Sequence, residues 1–207
     1  MSNWTSFAAA AALCLASLTA ARAAPEVNAP APAFAATTAG GETIELQDLA
    51  GKTVILEWTN HLCPFVGKHY GAGNMQALQK EMTEQGVVWL QVISSAPGKQ
   101  GYVEGAEAQA LNAERGALPS DTLLDPAGTL GRAYAARTTP HMYIIDPEGT
   151  LLYMGGIDDI ASANPTDIPK ATNYVREAMA AIQAGEAVPH PVTRAYGCTV
   201  KYGAPAS

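Results

Sequence analysis

Few residues in this chain could do chemistry, and the first is Cys63. It follows the run at residues 52–58 (Lys-Thr-Val-Ile-Leu-Glu-Trp) and the link Thr59-Asn60-His61-Leu62, and it directly precedes Pro64. The run is rich in β-branched and apolar residues and reads as a strand covered on both faces. Pro64 suits the first position of a helix, where a missing N–H costs nothing. Cys63 is therefore expected at a strand-to-helix junction. Unpaired N–H groups and a partial positive charge at a helix N-terminus favour thiolate over thiol, and thiolate is the reactive form. Redox or nucleophilic chemistry follows, with His61 and Lys68 expected to add positive potential. The competing expectation is an inert, packed cysteine, which is what a free Cys usually is.

The compartment matters for a thiol. Residues 1–21 carry no charged side chain, residues 7–21 are largely apolar, and Ala21-Arg22-Ala23 supplies an A-x-A pattern. This reads as a leader cleaved after Ala23, although no Lys or Arg precedes the apolar run. An uncleaved anchor is the alternative. Cleavage would remove Cys14 and leave Cys63 and Cys198 in an oxidising setting, periplasmic or secreted, with no membrane association afterwards.

Cys198 stands in a tail from residue 187 onward that Gly and Pro interrupt and that reads as mobile. Two thiols in an oxidising compartment invite pairing, so Cys198 is expected to resolve an oxidised Cys63. A permanent disulfide, or a separation that never closes, stands beside it as an equal expectation. His61, His69 and His141 suggest a rival class, in which they join Cys63 as ligands for copper or zinc. Of these, His141 is expected to face Cys63. The fourth residue after Cys63 is Gly67, so a second soft ligand is missing from that helix.

The elements that must hold these residues follow from pattern. Strands are expected near residues 43–46, 52–58, 87–93 and 122–124, with a closing hairpin of 141–145 and 150–154 around Asp146-Pro147-Glu148-Gly149. Helices are expected from Pro64, interrupted near Gly71 and Gly73, and again from an Asn74 cap to Gly86. Further helices are expected at 105–115, from Asp125-Pro126 through Tyr134, and at 172–184. Trp58, Phe65, Tyr70 and Trp89 read as core or rim packing. Strands alternating with helices and ending in a hairpin imply an α/β sheet that is mixed rather than wholly parallel. The organisation reads as a leader (1–23), a flexible lead-in (24–32), one domain (33–186) and a tail (187–207).

Composition sets limits. The 207 residues include 12 Lys+Arg against 19 Asp+Glu, for a net charge of −7, and 48% are hydrophobic. Such a chain buries a core and is not disordered. Its acidity argues against a nucleic-acid partner. Residues 96–101 lack phosphate-loop spacing and no dinucleotide fingerprint follows a strand, so no cofactor is expected.

The segment Asn60-His61-Leu62-Cys63-Pro64-Phe65-Val66, the pair Thr139-Pro140 and the tail Gly197-Cys198-Thr199-Val200-Lys201-Tyr202 together resemble a known family. They look like the thioredoxin fold and, more narrowly, the peroxiredoxin-like AhpC/TSA-redoxin group. Its members carry Asn-His-Cys-Pro-(Tyr/Phe)-Val and Gly-Cys-x-(Val/Ile)-Lys-(Tyr/Trp). Leu62 is an insertion in the first motif, and the similarity runs from about residue 33 to residue 202.

The resemblance implies a thioredoxin-like fold with a mixed central sheet flanked by helices. Cys63 takes the place of the attacking cysteine. Val66 stands where thioredoxin has its second cysteine, so that thiol must come from elsewhere. Pro140 matches the cis-proline beside the active cysteine. Peroxiredoxins carry Pro seven and Thr or Ser three residues before their cysteine, where this chain has Leu56 and Asn60, with Thr59 one residue off. Their stabilising arginine falls at Pro140, and Arg137 is nearby.

The expected function is an exported thiol–disulfide oxidoreductase acting through Cys63 and Cys198, supported by Thr59, Asn60, His61, Pro64 and Pro140. Its partners are a thiol/disulfide protein or small thiol reductant. The alternatives are a thiol-dependent peroxidase reducing hydroperoxides and a non-catalytic metal-binding or redox-chaperone module.

Overall fold

The computed structural model describes residues 24–204, so the expected leader lies outside the described residues. Strands β1 (Ala35–Thr38), β2 (Thr43–Glu45), β3 (Val54–Trp58), β4 (Val88–Ile93) and β5 (Asp121–Leu124) enter the main sheet. The two-residue β6 (Thr138–Thr139) follows, then β7 (His141–Ile145), β8 (Leu151–Gly155) and the two-residue β9 (Cys198–Thr199). The seven-stranded sheet has the order β2-β1-β5-β4-β3-β7-β8, and β6 pairs with β9 apart from it. β3 runs parallel to β4, and β4 to β5; all other neighbours are antiparallel, so the sheet is mixed.

β3 lies between two neighbours, and all five of its residues are buried. Alternation then sorts the side chains onto two faces. Ile55, Met142 and Ile144 pack with Cys63, Val66, Met75, Leu78, Val175 and Met179, beneath helices α1 (Pro64–Gly71), α2 (Asn74–Glu84) and α5 (Tyr174–Ala184). Leu56, Trp58, Tyr143 and Ile145 pack on the other face with Leu90, Leu123, Leu130 and Tyr134, against α4 (Thr129–Ala133). Full burial of a leucine such as Leu90 contributes about 1.5–3 kcal/mol. Helix α3 (Gly105–Glu114) covers a smaller cluster of Ile93, Val103 and Ala108.

Several boundaries differ from the expected ones for local reasons. Gly73, in the left-handed region at φ 71°, caps α2, and Asn74 is the first helical residue. α4 begins at Thr129 rather than at Asp125, because Asp125 caps from outside the helix. Its carboxylate accepts from the N–H groups of Leu130 (3.1 Å) and Gly131 (2.8 Å) and from the Ser94 hydroxyl (2.6 Å).

The lead-in, expected to be flexible, is pinned to the β7–β8 hairpin. Asn28 N–H donates to Leu151 O (2.8 Å) and Ala31 N–H to Gly149 O (2.8 Å).

The tail, expected to be mobile, is a docked strap along the far edge of the fold. Met154 N–H donates to Pro191 O, Thr193 N–H to Met154 O, Val200 N–H to Arg137 O and Ala96 N–H to Lys201 O, all within 3.1 Å. Tyr202 closes it: its hydroxyl donates to Ala136 O (2.8 Å) and its ring lies under the Arg132 guanidinium.

Candidate functional site

Cys63 is the N-cap of α1, with extended backbone (φ −85°, ψ 122°), and Pro64 is the first helical residue. The link before it is held by its own side chain. Asn60 Oδ1 accepts from Leu62 N–H (2.9 Å), and Asn60 O accepts from Cys63 N–H (3.0 Å). This tight turn accommodates the inserted Leu62 by pushing its side chain to the surface, where it is 53% exposed. Gly101 approaches Asn60 so closely that a Cβ there would collide with the amide, so the turn is clamped from both sides.

Cys63 is almost wholly buried, at 1% exposure. Its thiol donates to Thr139 O at 3.1 Å. The Thr139–Pro140 peptide bond is cis. In the small sheet Thr139 pairs with Cys198, and this register brings the second thiol against the first.

The two thiols are driven apart in acidity. Burial pushes Cys63 up, but hydrogen bonds outweigh it and hold the group below the ordinary thiol range. These come from the Cys198 thiol, the Thr139 hydroxyl, and the backbone N–H groups of Val66 and Cys198. Val66 is the third residue of α1, one of the N–H groups that a helix start leaves unpaired. Cys198 is pushed up to about 11, first by burial, then by its hydrogen bond to Cys63 and by the Cys63 charge, against a smaller opposing effect of Lys201. Both are free thiols, Cys63 buried and Cys198 partly exposed.

The expected cationic help is not what acts. Lys68 is buried and turned away: its ammonium donates to Asp158 Oδ2 (3.2 Å), Ile160 O (3.2 Å) and the Tyr196 hydroxyl (3.3 Å). His61 is held below its ordinary value by burial, then by the Arg115 charge, so it is neutral near pH 7.

His141 does not face Cys63. On β7 it shares parity with Tyr143 and Ile145, which belong to the opposite core, while Met142 and Ile144 lie on the Cys63 side. Its ring stacks beside Tyr143 with centroids 4.6 Å apart. Its Nδ1 accepts from Arg137 N–H (3.3 Å). His69 is fully buried and contacts Asn74, Tyr196 and Asp158. The expected ligand set of His61, His69, His141 and Cys63 is therefore dispersed. Among the described residues no group of three or more His, Cys, Asp or Glu could hold a metal ion.

Arg137 does not act on Cys63 either; its charge bears on His141 and Tyr143. Thr59, at the end of β3, and Thr139 are both buried, and their hydroxyls have no oxygen or nitrogen partner.

Sequence reading missed two buried polar clusters that flank α1. In the first, Glu57 accepts from the Tyr70 hydroxyl (2.9 Å), Trp89 Nε1 (2.9 Å) and Gln79 Nε2 (3.1 Å), while Arg115 lies over the Tyr70 ring. Burial raises the Glu57 carboxyl above its usual range, against the opposing Arg115 charge and those hydrogen bonds. One signal was available: a lone carboxylate inside an otherwise apolar strand. The second cluster is the Lys68–Asp158 pair, with Tyr196 donating to Asp158 and His69 alongside. It ties α1 to the strap two residues before Cys198, and nothing local marked it.

The fold and site define a thioredoxin-like protein with one cysteine capping the helix after the central strand and a second supplied by a C-terminal strap. Solved structures agree on the fold. An uncharacterized conserved protein from Geobacillus kaustophilus is 24% identical, with a TM-score of 0.76, over 87% of this chain and 94% of that one. A hypothetical protein from Sinorhizobium meliloti 1021 is 23% identical, with a TM-score of 0.71, over 88% and 97%. A protein described as a thiol:disulfide interchange protein, DsbE, from Chlorobium tepidum is 22% identical, with a TM-score of 0.51, over 63% and 85%. A search of curated proteins found no match. The AhpC/TSA family model matches residues 27–154, and the chain belongs to that family.

Proposed function

We propose that this protein is an exported thiol–disulfide oxidoreductase in which Cys63 attacks and Cys198 resolves. The observation that carries the reading is the β6–β9 pairing of Thr139 with Cys198 beside the Cys63 sulfur. Export rests on residues 1–23, read as a leader that is removed, with a periplasmic or secreted destination.

The Cys63 thiolate attacks a disulfide of a partner protein or small molecule, forming a mixed disulfide and releasing one partner thiolate, which takes up a proton. Cys63 then no longer carries charge. The hydrogen bond and the charge that had raised Cys198 are gone, so its proton leaves more readily. The Cys198 thiolate attacks the Cys63 sulfur, the Cys63–Cys198 disulfide forms, and the second partner thiolate departs. The partner gains two electrons and the protein loses two. A small thiol or a protein dithiol returns it to the reduced state. Because Cys63 is buried, the partner reaches it when the two-residue β9 lifts from β6.

A second reading, hydroperoxide reduction, is favoured by the buried Thr59 hydroxyl, which has no hydrogen-bond partner, and by the Thr139 hydroxyl on the Cys63 sulfur, donors suited to a peroxide oxygen. In that case the thiolate takes the terminal oxygen, an alcohol or water leaves, and Cys198 condenses with the sulfenic acid to give the same disulfide and water. Parallel assays with dithiothreitol as reductant separate the two readings. Reduction of a protein disulfide without peroxide consumption supports the first. Peroxide consumption dependent on Cys63 supports the second. Neither activity overturns both.

A further inference from the structure

The face of the sheet opposite Cys63 holds a cavity of about 330 Å³ that the thiol chemistry does not use. Its floor is His141, Tyr143 and Tyr134, its wall is Arg137 and Thr138, and the strap segment with Val192 and Arg194 closes it. Most of the lining is apolar, and no acidic residue belongs to it. That is unusual company for two guanidinium groups in a chain of net charge −7. Neither Arg137 nor Arg194 makes an ion pair among the described residues.

His141 supplies the built polar point. It is 8% exposed, its Nδ1 accepts from the Arg137 N–H, and the neighbouring Tyr143 hydroxyl donates to Tyr134 O. A main-chain N–H can only donate, so Nδ1 is an acceptor and the ring proton sits on Nε2. Nε2 has no hydrogen-bond partner among the described residues, and His141 lines the cavity beside an aromatic floor, with the exposed Arg137 and Arg194 at its rim. Burial and the Arg137 charge lower His141 to about 4, so the ring stays a neutral donor at physiological pH.

We propose that this cavity binds a small organic carboxylate with an apolar body. The carboxylate oxygens accept from His141 Nε2–H and the Arg137 and Arg194 guanidinium groups. The apolar body lies against Tyr134, Tyr143, Met154 and Val192. Guanidinium–carboxylate contacts of this kind are strong and geometrically specific. A neutral or cationic ligand of the same shape leaves the guanidinium groups unanswered and gains only the apolar contact.

The test uses benzoate, benzyl alcohol and benzylamine, which share one body and differ in head group. Each is titrated into the purified protein while backbone amide resonances are followed. Benzoate should bind saturably, with shifts centred on residues 137–143 and 192–195. Benzyl alcohol should bind about 10-fold more weakly, the scale of a lost charge-assisted contact. Benzylamine should not bind. R194Q alters an exposed side chain and should weaken benzoate about 5- to 10-fold with the amide spectrum otherwise unchanged. R137Q should act alike. Equal affinity for acid and alcohol, unchanged benzoate affinity in R137Q/R194Q, or no saturable shift would each overturn the proposal.

Discussion

The two cysteines sit against each other yet are held by opposite kinds of structure. Cys63 is fixed by its immediate neighbours: Asn60 forms the turn before it, Pro64 starts the helix after it, and Val66 N–H points back at its sulfur. Cys198 is fixed by distant ones: Thr139 across the small sheet, Ala96 on the β4–α3 loop, and, two residues upstream, Tyr196 on Asp158 and Lys68. The first arrangement favours the thiolate of Cys63 and the second sets a hydrogen-bond donor against it. Acidity in this pair is therefore a property of the docked strap as much as of the helix start.

Substitutions can break that contrast, and the largest effect belongs to Cys63. Cys63→Ser should lower disulfide exchange by more than about 1,000-fold, the scale of losing a nucleophile, in an assay of partner reduction. Lys68→Met strips the buried Asp158 of its cation. It should cost about 3–5 kcal/mol of unfolding free energy in denaturant titration, because an unpaired buried charge remains. Cys198→Ala should cut multiple turnover by about 100-fold while one attack by Cys63 persists, leaving a mixed disulfide visible by mass spectrometry.

The smallest effect concerns pH. Cys63 alkylation should rise with pH through an inflection below the ordinary thiol range, because the folded protein favours its thiolate. Cys198→Ala removes the strongest of the favourable hydrogen bonds, so the inflection should move up and the rate near pH 7 should fall. An unmoved inflection would show that the Cys198 thiol contributes nothing to the acidity of Cys63 and leave it to Thr139 and the backbone N–H groups.

The same contrast explains what could be read in advance. The strand-to-helix junction, Pro64, the glycine stops at Gly86 and Gly185, and the hairpin around Gly149 depend on residues within a few positions of one another. Pattern reveals such features. The strap was legible only as a tail, because what docks it is scattered: backbone carbonyls of Met154 and Arg137, and a tyrosine meeting a lysine on α1. Gly and Pro marked the absence of regular structure there, which is a different property from mobility. His141 shows a further limit. Its position after Pro140 brought it near Cys63 in sequence, but strand parity turned it to the far face, where it lines the cationic cavity.

The central claim is that Cys63 and Cys198 exchange between a thiol pair and one intramolecular disulfide. The most direct measurement is to treat the reduced protein with a stoichiometric disulfide oxidant, block free thiols, and record intact mass and peptide map. The account predicts a monomer lighter by two hydrogens, carrying no blocking group on either residue and yielding a Cys63–Cys198 linked peptide. Full blocking of both thiols after oxidant, or a disulfide that joins two chains instead, would contradict it.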